Sequence, residues 1–201
     1  MSNLKFDSDN SLMDDKILLD KIASKDERAF QLFVEKYHLM VLNVCNNILN
    51  NNDDALDVSQ EVFIKIFDSI DQFRGESKIT TWLYRIAVNK SLNYLRSRKR
   101  QKWFPSLDIL FENGNKSNDP EDINLKPGEN LELEEDKKAL HYALNKLPEK
   151  QNIALTLNNF EDLSYKEIAE IMKISVTEVG VLINRGKTKL KKIIIDYYKN
   201  N

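Results

Sequence analysis

The chain has 201 residues, 41% of them apolar and 31% charged, enough to build one domain core or two small ones and too apolar for a wholly disordered chain. Five glycines and four prolines cannot supply the closely spaced turns of an all-β fold, and one cysteine excludes an internal disulfide framework. The net charge of −2 hides four blocks: −7 over residues 1–73, +8 over 74–102, −8 over 103–136 and +5 over 137–201. Signs segregated on this scale point to polyanion contact at two separate places, the alternative being solvated helix faces. No apolar run approaches the roughly 18 residues of a membrane span, and the polar, acidic start does not read as a signal peptide. The expectation is an all-α, soluble, cytoplasmic protein without membrane insertion. Two histidines, His38 and His141, on separate helices leave no ligand set for a metal, and no cofactor is expected.

Residues 1–24 read as a tail and the start of the first helix, and residues 25–102 as a first helical domain. Phe30, Phe33, Tyr37, Val41, Val44 and Ile48 recur every three or four positions, one face of a helix that the stretch NNNDDA ends. Cys45 lies beside Val41 and Val44 and reads as a buried structural thiol. A second helix turns Ala55, Val58, Val62, Ile66 and Ile70 inward. Asp57, Glu61 and Lys65 form another stripe, in which Glu61 and Lys65 can pair and Asp57 is left over.

A third helix, about 80–100, has an apolar side of Ile79, Trp82, Leu83, Ile86 and Ala87. Thr81, Arg85, Asn89, Asn93, Arg96 and Arg100 recur on one face with no acid among them, a donor set for phosphates and base edges. The loop before it, FRGESKIT, offers Gly75 for a tight turn and Ser77, Lys78 and Thr80 as hydrogen-bond formers. Trp82 reads as a core anchor in preference to a base-stacking ring.

Residues 103–136 hold Pro105, Pro120, Pro127, Gly114 and Gly128 with few apolar side chains, and read as a flexible acidic linker. Residues 137–197 form a second helical domain. Leu140, Ala143, Leu144 and Leu147 share a face that Pro148 ends, and a helix over about 150–158 follows. Ser164 with Glu167, and Ser175 with Glu178, are two capping boxes whose start signals lie 11 residues apart. Two helices begun in this way form a helix-turn-helix, and its second helix enters the major groove.

DALDVSQEVF (54–63), FRGES (73–77) and TWLYRIAVN (81–89) resemble region 2 of bacterial RNA polymerase sigma factors, and LPEKQNIALTLNNFEDLSYKEIAEIM is similar to region 4. The resemblance, over about residues 28–100 and 137–195, is to the compact two-domain extracytoplasmic-function group of the sigma-70 family. It implies a factor that joins core RNA polymerase and directs initiation at promoters. Asp57, Gln60, Glu61 and Val62 would meet the clamp of the largest catalytic subunit, and the flap of the second largest would be a further contact. Gly75, Ser77, Lys78, Thr80, Thr81, Trp82, Arg85, Asn89, Asn93, Arg96 and Arg100 would handle the −10 element. Ser164, Tyr165, Ser175, Thr177, Glu178, Gly180, Val181, Asn184, Arg185, Lys187 and Lys191 would handle the −35 element. Beyond the resemblance, the adjacent and nearly equal opposite charge blocks suggest that the acidic linker mimics nucleic acid, lying on the cationic third helix in the free protein and in the RNA path of the polymerase in the complex. Anti-sigma partners are common in the group.

One departure stands out. Members usually carry an arginine or another polar residue early in the recognition helix, and here Gly180, Val181 and Leu182 occupy that stretch. Reading would fall to Ser175, Thr177, Glu178 and Asn184, with Arg185, Lys187 and Lys191 on phosphates, or to backbone and shape. The competing function is a degenerate sigma-like chain that binds polymerase or a regulator without reading DNA. An enzyme is disfavoured. The chain has no phosphate loop, nucleophile elbow or HExxH, and the adjacent Asp53 and Asp54 diverge on a helix.

Overall fold

The computed structural model describes residues 15–75, 77–103 and 131–200, all helices and their connections, with no strand among them. The expected acidic linker and N-terminal tail fall largely outside the described residues. The chain divides into two compact units, one mainly of residues up to Ser91, the other mainly of Leu92–Ala169 and Ile174 onward.

In the first unit, α1 (Asp15–Ala23) precedes α2 (Glu27–Leu49), α3 (Asn52–Ser69), a 3-10 turn at Ile70–Gln72 and the start of α4 (Ile79–Trp103), whose residues from Leu92 on are counted with the second unit. The break between α2 and α3 is local chemistry. Asn50 takes the left-handed conformation at φ 52°, its N–H donating to Asn46 O at 2.8 Å, and closes α2. Asn51 then caps α3, its side chain accepting from Asp54 N at 2.9 Å, with Asp53 and Asp54 in the first turn where the helix dipole favours anions. The periodic residues Phe33, Tyr37, Val41, Val44 and Ile48 of α2 are buried, as are Ala55, Val58, Val62 and Ile66 of α3. Cys45 is buried among them. Burial pushes its thiol up to about 11, the nearby Ser91 hydroxyl only partly offsetting this, so it stays protonated and unreactive at neutral pH.

The sequence opens its first domain at residue 25, but α1 packs on α2 and the 3-10 turn with Leu18 and Ile22 buried. Asp15 locks this helix down, accepting from Lys36 Nζ and from the Tyr37 hydroxyl, each at 2.7 Å. Burial alone would raise the Asp15 carboxyl, but the bonds from Lys36 and Tyr37 outweigh it and hold the group below its ordinary value. A carboxyl depressed on folding stabilises above its unfolded pKa, and the contribution is lost as pH falls through the folded value. Tyr37→Phe should therefore cost about 0.5–1.5 kcal/mol at pH 7. Urea titrations at pH 7 and at a pH below the folded value of Asp15 should show the difference shrinking in acid.

The second unit contains α5 (Leu131–Asn145), α6 (Glu149–Asn159), α7 (Tyr165–Met172) and α8 (Val176–Asn200). α5 starts inside the stretch the sequence assigns to the linker. Its opening, LELEED, is rich in glutamate, a good helix former whose charge suits a helix start. α6 is central. Residues Asn152–Leu157 are all buried, and the buried Thr156 hydroxyl donates to Asn152 Oδ1 at 3.2 Å. α8 packs on both α6 and α5, and its end is tied back by the Tyr198 hydroxyl donating to Asp136.

Candidate nucleic-acid interface

The loop before α4 turns at Gly75, whose φ of 71° is a conformation side chains resist. Trp82 is half-buried, its ring tilted on Phe73 with centroids 5.2 Å apart. It is thus shared between the loop and the surface and is not enclosed in the core. Ser77 and Thr80 are half-buried beside it, and Lys78 is exposed.

The polar stripe of α4 does not lie on one face throughout. Thr81 is buried, Arg85 is half-buried with its Nε enclosed, and Asn89, Asn93, Arg96 and Arg100 are exposed. The reason is helical drift: a step of four residues overshoots a turn by about 40°. The stripe begins at the buried Thr81, on the side of the helix that carries the buried Tyr84 and Val88, and winds outward towards the C-terminus. Thr81 is therefore corrected from a DNA contact to a packing residue.

On α3, Asp57, Gln60 and Glu61 are exposed. Val62 is fully buried, in register with Val58 and Ile66, and its place on a contact face is corrected to the core. Glu61 does not depend on Lys65 for a partner. Its carboxylate accepts from Lys90 of α4 at 2.9 Å, joining two helices far apart in sequence. What sequence reading missed is apolar: Leu56 at 40% and Ile64 at 62% exposure stand four residues either side of Gln60. Their signal was present, since both fall out of phase with the inward Val58-Val62-Ile66 period.

The helix-turn-helix is built by its caps. The Ser164 hydroxyl accepts from Glu167 N at 3.3 Å and donates to Glu167 Oε2 at 2.8 Å, while Ser164 N donates to the same oxygen at 3.1 Å. Ser164 is therefore already engaged in holding α7. The turn uses Lys173 at φ 54°, followed by Ile174 N donating to Ala169 O at 3.1 Å, a Schellman closure. Ser175 Oγ accepts from Glu178 N at 3.1 Å and starts α8. The Glu178 carboxylate lies 3.8 Å from Lys150 Nζ on α6.

Beyond these caps, Tyr165, Thr177, Val181, Asn184, Arg185, Lys187 and Lys191 are exposed. Gly180 is half-buried, with Tyr165 Cε2 3.6 Å from where its Cβ would stand. Gly186, which sequence reading passed over, is buried. A Cβ there would stand 2.8 Å from Leu155 Cδ1 and 3.1 Å from Leu155 Cγ, so α6 and α8 can meet only over glycine.

Among the described residues no group of three or more His, Cys, Asp or Glu side chains could hold a metal ion, and no helix is long and apolar enough to cross a membrane. The two surfaces carry hydrogen-bond donors and cations suited to a polyanion.

Comparison with known proteins places these surfaces in a family. Residues 33–101 match Sigma-70 region 2 and residues 137–190 match Sigma-70, region 4. The chain is similar to the RNA polymerase sigma-H factor of Pseudomonas aeruginosa, 34% identical over 186 residues, covering 90% of this chain and 93% of that one. It is also similar to the ECF RNA polymerase sigma-E factor of Haemophilus influenzae, 37% identical over 183 residues, with 90% and 95% covered. Among solved structures, CnrH in complex with the cytosolic domain of CnrY aligns with a TM-score of 0.64 at 21% identity, over 90% of this chain and 97% of that one. The sigma factor RpoE of Bartonella quintana, in complex with the anti-sigma factor NepR, aligns with a TM-score of 0.60 at 21% identity, over 82% and 96%. At that identity the two structures speak for the fold.

Proposed function

Because the chain belongs to the sigma-70 family, in its extracytoplasmic-function group, we propose that its two units divide promoter-specific transcription initiation between them. The first unit docks on core RNA polymerase through the outer face of α3. Asp57, Gln60 and Glu61 supply the polar part of that face, and Leu56 and Ile64 the apolar part. Acidic side chains steer a basic partner, and the exposed apolar pair gives the contact its grip.

The loop before α4 and α4 itself handle the −10 element. The Gly75 turn with Ser77, Lys78, Thr80 and Trp82 forms a pocket edge for an unstacked base, and Asn89, Asn93, Arg96 and Arg100 follow the strand along α4. Arg85, half-buried, contributes less. The second unit takes the −35 element as duplex in the groove of α8, where Thr177 and Asn184 face base edges and Arg185, Lys187 and Lys191 meet phosphate. The chain supplies no catalytic side chain, since nucleotide addition belongs to the polymerase, and it acts on DNA in the cytoplasm. An anti-sigma factor is a further partner, as it is for the Bartonella relative.

The observation that carries this reading is the outward winding of α4, which exposes two amides and two guanidiniums on one continuous track, with Arg96 Nε 3.6 Å from Glu149 Oε2. Its test is the salt dependence of holoenzyme binding to single-stranded −10 DNA. Arg96→Ala and Arg100→Ala should each flatten the slope of log K against log salt by about 0.7, one phosphate contact on a single strand. Unchanged slopes in both variants would remove α4 from the DNA path.

A further inference from the structure

Two glycines sit in α8, and the structure gives them different reasons. Gly186 is required by packing, because a Cβ there would stand 2.8 Å from Leu155 Cδ1 in the core. Gly180 faces a ring instead. Its missing Cβ would stand 3.6 Å from Tyr165 Cε2, an ordinary van der Waals distance, so the tyrosine ring covers the bare helix backbone at this point. Alanine would fit beneath the ring, and the γ carbons of a β-branched side chain would enter the space it holds.

The ring is placed by both helices. Tyr165 is the first residue of α7, and the Ser164–Glu167 box fixes the backbone at that helix start. α8 turns about 100° per residue, which sets Gly180 about 60° from Thr177 and about 40° from Asn184 on one side, and about 60° from the buried Ile183 on the other. Gly180 thus lies on the seam between core and outward face. A ring seated there borders the face that Thr177 and Asn184 present. Tyr165 is 38% exposed. Among the described residues its hydroxyl has no hydrogen-bond partner, whereas the Tyr37 and Tyr198 hydroxyls are each held by an aspartate.

Resting on the −35 reading above, we infer that the Tyr165 hydroxyl donates to a backbone phosphate of the upstream duplex, and that Gly180 is its positioning residue, leaving the ring a seat on α8. In helix-turn-helix docking the first helix crosses the DNA backbone while the second enters the groove, and Tyr165 opens the first. A phenol has one hydrogen to donate, and phosphate oxygens accept. Such a contact carries no sequence information of its own. It fixes the register in which α8 meets the base edges. It also differs in kind from contacts of Arg185, Lys187 and Lys191, because a neutral donor neutralises no phosphate and releases no counterion.

The test uses the full chain assembled with core polymerase and a duplex library randomised across the upstream box. On the selected box Tyr165→Phe should lower affinity about three- to tenfold, the loss of one hydrogen bond. The same factor should apply to single-base variants of the box. The slope of log K against log salt should stay at the parent's value, whereas Arg185→Ala should flatten it by about 0.9. Gly180→Ile should lift the ring from its seat, so that Tyr165→Phe costs nothing further in that background. Gly180→Ala should raise the melting temperature by about 2–4 °C, since glycine is the weakest helix former after proline. A Tyr165→Phe chain that binds the selected box as the parent does would overturn the inference and leave the −35 reading standing. So would a loss confined to one base position, or a Tyr165→Phe loss that persists in full beside Gly180→Ile. Enrichment of no upstream box would overturn both.

Discussion

Ile64→Arg should leave the fold unchanged and lower the affinity for core polymerase at least about tenfold, or about 1.4 kcal/mol. The side chain is 62% exposed, so the first unit gives up little packing when it is replaced. Its position is what matters. Leu56, Gln60 and Ile64 follow one another at steps of four along α3, with Asp57 and Glu61 beside them. A basic partner surface drawn in by those acids would meet a new cation within the contact, and like charges brought together there carry a cost of up to several kcal/mol. The apolar burial of the isoleucine is lost as well. The check is a titration of labelled core polymerase with each chain, beside thermal melts of the free proteins. Equal affinity with an intact fold would move the docking face away from α3. Gln60→Arg is expected to behave in the same way, from the middle of the face.

Gly186→Val should destabilise the second unit by about 1–3 kcal/mol, the usual cost of forcing extra methyl groups into a packed core. A valine here cannot be absorbed by a surface side chain moving aside, because Leu155 is itself 1% exposed in the middle of α6. Relief requires α8 to lift from α6, and α8 carries both the second-unit core residues Val179 and Ile183 and the DNA-facing side chains. Upstream duplex binding should therefore fall with stability, while polymerase binding through the first unit persists. Gly186→Ala should move in the same direction by a smaller amount, since improved helix propensity of about 1 kcal/mol offsets part of the clash. Denaturant melts of the two variants, followed by a second-unit probe, measure this. The sign separates Gly186 from Gly180, where alanine should stabilise.

Most of the architecture was legible in the sequence because it is written in local terms. The three-four spacing of Phe33, Tyr37, Val41 and Val44, the asparagine pair at the α2–α3 junction and the Ser164–Glu167 box each specify structure within a few residues. What was not legible depends on contacts distant in sequence. α1 is nine residues long, and its burial through Leu18 and Ile22 is decided by where α2 and the 3-10 turn lie. Glu61 has a same-helix partner within reach, yet it bonds to Lys90, 29 residues away. Gly186 looks like any helical glycine until Leu155 is brought against it. At the interface, counting by fours marked the residues of the α4 track but not the angle at which they leave the core, so Asn89, Asn93, Arg96 and Arg100 are outward and Thr81 is not. Composition also misleads here: the acidic start of α5 reads as linker from its charge, although glutamates at a helix start are favourable.

Transcription from genomic DNA with purified core polymerase, with and without this chain, tests the central claim most directly. Adding the chain should produce transcripts with discrete 5′ ends at sites sharing two upstream boxes at fixed spacing. The same scattered, sequence-independent starts in both reactions would contradict it.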